Sequence, residues 1–225
     1  MRRKVQPEIL DTLPPDHPDA LHNRRDLRIT NRFMGNHRWL ERMLSASLRS
    51  GERVLEIGAG CGELGARLAL RGIVVDGLDL WPRPAIWPAG GRWHRVDLRE
   101  FEAYDAYDVI VANLILHQFT TDELARLGPI LQQRARILIA CEPVRSRVSQ
   151  VLFAGVAPLL GANHVSRHDG HVSIAAGFRN DELPGTLGLA AENWDVRCSE
   201  APLGAYRMIA ARRSPGNPKA KERLS

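Results

Sequence analysis

The sequence is short of cysteine and of long apolar runs, and each shortage excludes a class of protein. Its three cysteines, Cys61, Cys141 and Cys198, lie far apart and form no Cys-x-x-Cys pair, which argues against a disulfide framework and a structural zinc site. The longest apolar run, 151–162, is shorter than the roughly 20 residues of a membrane span and contains glycine and proline, so an integral membrane protein is excluded. The N-terminus lacks the apolar segment of a secretory signal, and we therefore expect a cytoplasmic protein.

Lysine is also scarce, which bears on the basic character of the chain. Only three of the 31 basic residues are lysines, and the arginines are spread along the sequence, although the net charge is +5. This distribution indicates a compositional preference for arginine and argues against a nucleic-acid partner. With 225 residues, of which 44% are hydrophobic and 25% charged, the chain can form one domain with a sizeable core, or one domain plus a small cap.

From residue 53 onward the pattern alternates between short apolar strands and helices. Strands are predicted at 53–57, 73–78, 93–96, 107–112 and 135–141, followed by two closing strands at 192–200 and 205–211. Helices are predicted at 63–70, after a capping box formed by Thr120 and Glu123, and at 146–160. Strands that are continuous apolar runs belong to sheets covered on both faces. The pattern therefore predicts an α/β fold with a doubly wound, mostly parallel seven-stranded sheet and an antiparallel C-terminal hairpin.

The segments outside this alternation define the predicted domains. Residues 1–20 are rich in proline and are expected to be irregular, whereas 21–50 have helical periodicity that ends at Gly51. We expect residues 1–50 to form an N-terminal helical cap or lid, 51–213 the main domain, and 214–225 a flexible polar tail. The helix at 146–160 carries four apolar residues on one side, and a loop rich in histidine and glycine is expected after it. These four residues are Val148, Val151, Leu152 and Leu159.

The most informative segment is a glycine-rich turn between the first strand and the first helix of the main domain. It reads Glu56-Ile57-Gly58-Ala59-Gly60-Cys61-Gly62. Such a turn lies in the first crevice of a doubly wound sheet, where nucleotide-like ligands bind. A dinucleotide fingerprint would place its third glycine at position 63, but Glu63 stands there, close to where a pyrophosphate would lie.

This segment resembles motif I of the class I S-adenosylmethionine-dependent methyltransferases. The resemblance implies a Rossmann-like fold, S-adenosylmethionine as the methyl donor, and S-adenosylhomocysteine as a product. A ligand without phosphates, carrying an ammonium and a ribose, suits backbone amides and an acidic side chain better than it suits a phosphate site. The residues of the motif expected to contact the cofactor are Glu56, Gly58, Ala59 and Gly60.

Further cofactor contacts are expected where the next strands end. An acidic residue should follow the second strand to accept hydrogen bonds from the ribose; Asp79 is preferred, with Leu80 beside it, and Asp76 is the competitor inside the strand. The resemblance implies that Asp97 and Leu98 lie at the adenine, although Asp97 also fits an N-cap. It further implies that Asn113 and Leu114, after the fourth strand, lie beside the methionine part and the reacting methyl group.

Candidates for the chemistry follow the fourth and fifth strands. His117 has a suitable pKa and lies at the carboxyl edge of the sheet, so it is the candidate general base, with a structural histidine as the alternative. Glu142 is a candidate substrate contact or a partner for an arginine, and His168 is a candidate for the substrate entrance. Three histidines at 164, 168 and 171 have helix-like spacing, but Asp169-Gly170 signals a turn between them, so no metal site is expected.

The resemblance also bears on the acceptor. Family members that methylate amines of nucleic-acid bases often carry Asn-Pro-Pro-aromatic where this chain has Asn113-Leu114-Ile115-Leu116. The whole chain is similar to bacterial methyltransferases of secondary metabolism, through segments at 13–16, 24–28, 116–119 and 204–207. This similarity implies a small, partly apolar acceptor resembling a phenol or quinol, methylated at oxygen in preference to carbon. An RNA methyltransferase, a non-catalytic cofactor-binding homologue and a dinucleotide-dependent reductase remain alternatives, and the oligomeric state is open.

Overall fold

The computed structural model describes residues 1–213, so the predicted tail at 214–225 lies outside the described residues. Seven strands form one sheet in the order β3-β2-β1-β4-β5-β7-β6. They are β1 (Val54–Ile57), β2 (Val75–Asp79), β3 (Trp93–Arg95), β4 (Val109–Asn113), β5 (Ile137–Pro143), β6 (Trp194–Glu200) and β7 (Ala205–Arg212). Strands β1 to β5 are parallel, and the hairpin of β6 and β7 joins β5 antiparallel. The predicted sheet is confirmed.

Among residues 1–213, seven α-helices surround this sheet. They are α1 (Pro18–Met34), α2 (Asn36–Ser47), α3 (Glu63–Ala69), α4 (Thr121–Leu131), α5 (Arg147–Leu159), α6 (His164–Ala176) and α7 (Glu182–Thr186). The capping box predicted for α4 is present: the Thr120 hydroxyl accepts from the Glu123 amide, and the Glu123 carboxylate accepts from the Thr120 amide. Because these bonds satisfy free amides of the first turn, they fix where α4 begins.

The core has two layers, one on each face of the sheet. Side chains alternate between the faces along a strand, so neighbouring residues of β1 enter different layers. Val54 packs with Leu40 and Leu44 of α2 on one face, whereas Leu55 packs with Leu124 of α4 on the other. Both layers are covered by helices, as the apolar strands predicted.

The predicted helical stretch at 21–50 is two helices. Gly35, with φ of 66°, lies between α1 and α2 in the left-handed region, which favours glycine. The break lets the two helices face different surroundings. Leu40 and Leu44 of α2 are buried against the sheet, whereas α1 lies over the carboxyl ends of the strands.

The predicted loop after α5 is wrong, because residues 164–176 form α6. The Asn163 side chain caps the helix by accepting from the Ser166 amide. Asp169 and Gly170 signal a turn in the sequence, but each has a tertiary role. Asp169 accepts from the backbone amides of Ile9 and Leu10, at 2.8 and 3.1 Å. A Cβ on Gly170 would lie 2.2 Å from the ring of Phe153 in α5, so glycine allows the two helices to pack closely.

A cap covers the carboxyl edge of the parallel strands. It consists of α1, α5, α6 and residues 1–12, which we call the N-terminal strap. The strap follows α6, since Lys4 donates its amide to Ala175 and the Arg3 side chain donates to Ala176. Within residues 1–213, no helix is both long enough and apolar enough to cross a bilayer.

Candidate active site

A cavity of about 1280 Å³ lies between the sheet and the cap. One end is formed by the loops after β1, β2 and β4, and the other by α1, α5, α6 and the strap. Cavities that hold one drug-sized ligand have volumes of roughly 300–1,000 Å³. This cavity therefore has room for two ligands side by side. All ten residues predicted to contact the cofactor line it: Glu56, Gly58, Ala59, Gly60, Asp79, Leu80, Asp97, Leu98, Asn113 and Leu114.

The glycine loop after β1 uses its glycines in two ways. Gly58 and Gly60 both have positive φ, at 65° and 50°. A Cβ on Gly58 would lie 2.6 Å from Ile115 Cγ1, so this glycine permits contact with the loop after β4. A Cβ on Gly60 would meet nothing closer than the carbonyl oxygen of Gly58, at 3.9 Å. The space beside Gly60 is therefore open for a ligand to approach the backbone.

Asp79 stands at the end of β2 with its carboxylate held in place. One oxygen accepts from the Gly60 amide at 2.7 Å and the other from the Trp81 amide at 2.9 Å. Burial raises the pKa of Asp79, against the lowering effect of these amides. Its competitor Asp76 accepts from Tyr107 and Arg53 within the fold, at 2.8 and 3.0 Å. Asp79 lines the cavity, whereas Asp76 does not.

Glu56 contributes a buried carboxyl group to the cavity. Its Oε2 atom has no hydrogen-bond partner in the structure. Burial, together with the charge of Asp79, raises the pKa of Glu56 to about 8. A buried acceptor without a partner is costly, and a bound ammonium group would satisfy it. The unpaired Oε2 atom of Glu56, next to the open glycine loop, therefore fits the ammonium group of S-adenosylmethionine.

Asp97 and Leu98 reach the cavity after β3. Asp97 pairs with Arg99, with 2.6 Å between Oδ2 and Nη2, and also accepts from the Arg99 backbone amide at 2.8 Å. These hydrogen bonds to Arg99, which outweigh burial, lower the pKa of Asp97. Asp97 therefore caps the turn that follows it and also lines the cavity.

The end of β4 is tied to the cap by three asparagines. The Asn113 amide donates to Asn31 at 3.0 Å, and its oxygen accepts from Asn36 at 3.2 Å. The next residue, Leu114, has φ of 57°, which is strained for a residue with a side chain. Its amide donates to Cys141 at 2.8 Å, and this bond holds the strained turn against β5.

His117 lies on the cavity with a carboxylate at each ring nitrogen. Nδ1 is 2.7 Å from Glu142 Oε2, and Nε2 is 3.2 Å from Glu8 Oε1. Burial alone lowers the pKa of His117, but the hydrogen bonds and charges of the two carboxylates outweigh it and raise the pKa to about 9. At neutral pH the ring is therefore an imidazolium that donates through both nitrogens.

The two predicted substrate contacts lie away from the cavity. Glu142 is fully buried and accepts from the amides of Ile115, Leu116 and His117, at 3.2, 2.8 and 3.2 Å. It thus holds the turn after β4 and orients the His117 ring. His168 lies on the exposed side of α6, with Nδ1 3.1 Å from Asp169 Oδ1. Neither side chain is among the residues that line the cavity.

Sequence reasoning missed two acidic residues of the strap. Glu8 is buried, lines the cavity, and accepts from His117 and from Gln118 Nε2 at 3.1 Å. Asp11, although exposed at the surface of the strap, also lines the cavity; partial desolvation and the charges of Glu8 and Asp169 raise its pKa to about 6. Nothing in the proline-rich first 20 residues signals either role. Across residues 1–213, no group of three or more side chains could hold a metal ion.

Comparison with known proteins supports the fold but gives no sequence family. No family model and no curated protein matches the sequence. The plantazolicin methyltransferase BpumL, in complex with S-adenosylhomocysteine, superposes with a TM-score of 0.69 at 11% identity, over 91% of this chain and 93% of BpumL. Magnesium protoporphyrin IX methyltransferase from Synechocystis superposes with a TM-score of 0.56 at 17% identity, over 84% and 86% of the two chains.

A third solved structure, the methyltransferase domain of bacterial CtHen1-C, has a TM-score of 0.59 at 14% identity and covers 80% of this chain and 97% of its own. At these identities the likeness concerns the fold, which was predicted from the alternation of strands and helices and from the resemblance of the glycine loop. The chain has the Rossmann-like fold of the class I S-adenosylmethionine-dependent methyltransferases.

Proposed function

We propose that the protein transfers a methyl group from S-adenosylmethionine to a small, partly apolar acceptor in the cytoplasm. The observation that carries this proposal is one continuous cavity, which joins the glycine loop and Asp79 to a chamber under the cap. A methyl donor and an acceptor must lie in contact for an in-line displacement. One cavity with room for both, closed over by α1, α5 and α6, supports such a reaction.

The cofactor end of the cavity supplies four kinds of contact. When bound, S-adenosylmethionine supplies an electrophilic methyl group. We assign Glu56 to the ammonium and Asp79 to the ribose hydroxyls, because the first has a free acceptor and the second is held open toward the cavity. Asp97 and Leu98 are assigned to the adenine. Leu114, in its strained turn, is assigned to the side of the reacting methyl group.

The proton of a hydroxyl acceptor needs a base. His117 is the candidate from the sequence, but both of its nitrogens already donate to carboxylates, so it has no lone pair for a proton. We therefore assign the general base to Asp11. Its pKa of about 6 leaves the carboxylate ionised at neutral pH, and a base whose pKa lies this near the working pH accepts a proton efficiently. His117 becomes a positioning residue that holds Glu8 and the strap against the cavity.

The acceptor end supports a small, partly apolar molecule. Its walls include Phe33 and Met34 of α1 and Leu152, Phe153 and Val156 of α5. Two structural neighbours are named for plantazolicin and magnesium protoporphyrin IX, which supports a small-molecule acceptor. A phenol or quinol oxygen, preferred over carbon, remains the prediction from the sequence.

The test is mass spectrometry of reactions that contain the purified protein, S-adenosylmethionine and a panel of phenols, quinols and RNA. We expect a gain of one methyl group on a phenol or quinol and none on RNA. Methylated RNA, with steeply salt-dependent RNA binding, would support the RNA alternative. Cofactor binding without any methylated product would support a non-catalytic homologue.

A further inference from the structure

Two pairs of polar side chains join α1 to α6 at the acceptor end of the cavity. The Asn163 side chain, at the start of α6, donates to the Asp19 carboxylate at 3.1 Å. Further along both helices, the Asn23 side chain donates to the Asp169 carboxylate at 3.4 Å. We call the surface between these two pairs the α1–α6 seam. Ser166 lies in the seam, since it comes one turn after Asn163 and one turn before Asp169.

The seam faces the cavity. On α6, the residues at helical spacing on one side are Ser166, Asp169, Gly170 and Ser173, and all four line the cavity, as Asn23 of α1 does. Asn23 and Ser166 are both buried, with 3% and 8% of their surface exposed. A ligand that fills the acceptor end of the cavity therefore contacts these two polar side chains.

The Asn23 side chain leaves one oxygen atom without a donor. Asp169 Oδ2 accepts from the Leu10 amide at 3.1 Å, so the donating Nδ2 group of Asn23 belongs on the side of Asp169 and the Oδ1 atom points away from it. This Oδ1 atom is buried and has no hydrogen-bond partner among residues 1–213. Because a buried acceptor without a partner is costly, Oδ1 favours a ligand that donates a hydrogen bond.

The Ser166 hydroxyl is the second unpaired group of the seam. Its backbone amide donates to the Asn163 side chain at 2.9 Å, but its Oγ atom makes no hydrogen bond within the part of the chain that the structure describes. A serine inside a helix can bond its hydroxyl to a carbonyl of the preceding turn, and Ser166 does not. A hydroxyl both donates and accepts. The seam therefore offers one atom that only accepts and one group that also donates.

The surroundings of the seam are an aromatic side chain and the proposed base. Phe153 of α5 packs against Gly170, which borders the seam, and both residues line the cavity. Asp169 accepts from two successive backbone amides of the strap, immediately before Asp11, and so holds Asp11 near the seam. An aromatic acceptor whose reacting hydroxyl lies at Asp11 therefore has its other polar groups close to the seam.

We propose that Asn23 and Ser166 bind a second hydroxyl group of the acceptor, one that is not methylated. This hydroxyl donates to Asn23 Oδ1 and accepts from the Ser166 hydroxyl, so both buried groups are satisfied. A carboxylate fits less well, because it cannot donate to Oδ1. A protonated amine only donates, and it would leave the Ser166 proton without an acceptor. The inference rests on the proposed methyl transfer and narrows its acceptor to an aromatic diol, such as a quinol, over a simple phenol.

The experiment uses the full chain, S-adenosylmethionine and matched pairs of aromatic diols and mono-ols that share one ring system, such as naphthalenediols and naphthols. We expect kcat/KM, measured by mass spectrometry, to be roughly tenfold higher for the diol of the preferred pair, because the mono-ol leaves the seam unpaired. In Ser166→Ala and in Asn23→Leu this preference should fall toward one, through a slower diol and an unchanged mono-ol. Ser149→Ala is the matched control: Ser149 lines the cavity from α5, outside the seam, and its loss should leave the preference unchanged.

Three results would overturn the proposal. They are equal kcat/KM for diols and mono-ols, which is expected if the seam holds only water, a diol preference that persists in Ser166→Ala, and a preference for the matched aminophenol over the diol. Ser166→Ala decides the matter if melting curves show that Asn23→Leu does not fold.

A binding measurement separates this proposal from the proposed methyl transfer. If no compound is methylated, the same pairs are titrated calorimetrically into the chain saturated with S-adenosylhomocysteine. Tighter binding of a diol that is lost in Ser166→Ala would leave the seam as a hydroxyl site while methyl transfer fails. Absence of binding by every diol would overturn the hydroxyl site itself.

Discussion

The backbone amide of Gly60 donates a 2.7 Å hydrogen bond to the carboxylate of Asp79. This bond joins the loop after β1 to the end of β2, the two elements that form the proposed cofactor crevice. The second carboxylate oxygen accepts from Trp81, so the orientation of Asp79 is fixed before any ligand arrives. Preorganisation of this kind reduces the ordering cost of binding.

Replacing Asp79 tests its proposed contact with the ribose. Asp79→Ala should weaken S-adenosylmethionine binding by roughly 1–3 kcal/mol, because a charge-assisted hydrogen bond to the ligand is lost. Isothermal titration calorimetry measures this directly. Asp76→Asn is the matched control: it removes part of a structural cluster with Tyr107 and Arg53, so it should lower the melting temperature and leave the affinity unchanged. The reverse pattern would identify Asp76 as the ligand-binding acid.

Glu56 makes cofactor affinity depend on pH. Because its pKa is about 8 in the free protein, Glu56 is protonated at pH 6 to 7 and must release that proton to pair with a bound ammonium. Affinity should therefore rise up to about tenfold from pH 6 to pH 7, a factor set by one released proton. Calorimetry in two buffers of different ionisation enthalpy measures the released proton. In Glu56→Gln the rise should vanish, and a rise that persists in this variant would assign the proton to another group.

Asp11 controls the pH dependence of turnover if it is the general base. The rate should increase as pH rises through about 6, where Asp11 loses its proton. Asp11→Asn should slow methylation of an oxygen acceptor by roughly 10²–10⁴-fold, the usual contribution of a general base. Its affinity for S-adenosylmethionine, measured by calorimetry, should not change. A variant as fast as the unmodified enzyme would contradict the assignment.

His117 stabilises the fold more at low pH than at high pH. Its folded-state pKa of about 9 exceeds the ordinary value of 6.5, so its contribution is complete below pH 6.5 and is lost as pH rises through 9. His117→Gln leaves Glu8 and Glu142 without their cation and should cost about 3–5 kcal/mol near neutral pH. Melting curves between pH 6 and 9.5 measure both effects. His22→Gln, at a partly exposed position on α1, should change them little. An unaltered profile in His117→Gln would contradict the stabilising role of His117 between Glu8 and Glu142.

The sheet and the geometry of the proposed cofactor crevice were predictable because their signals are local. Continuous apolar runs mark β1, β4 and β5, and the alternation of glycines marks the turn after β1. Asp79 could be preferred over Asp76 because it ends its strand, where ligands bind in parallel sheets. Each of these inferences uses residues that are close together in the sequence.

The cap was less predictable because its contacts join distant parts of the chain. From the sequence alone, Asp169 looks like a turn residue. Its role becomes clear only from the structure, in which it accepts hydrogen bonds from the backbone amides of Ile9 and Leu10. Glu8 likewise gains its role only from His117, more than 100 residues away. The periodicity of α5 was read correctly, yet periodicity does not tell whether an apolar face packs inside or lies at the surface.

The most direct test of the cofactor proposal is calorimetric titration of the unmodified full chain with S-adenosylmethionine, S-adenosylhomocysteine and NAD. The cavity geometry predicts saturable binding of the two sulfur nucleosides at one site per chain and no binding of NAD. Heat of binding from NAD alone, with none from either sulfur nucleoside, would contradict the assignment of Glu56, Gly60 and Asp79 to a methyl-donor site.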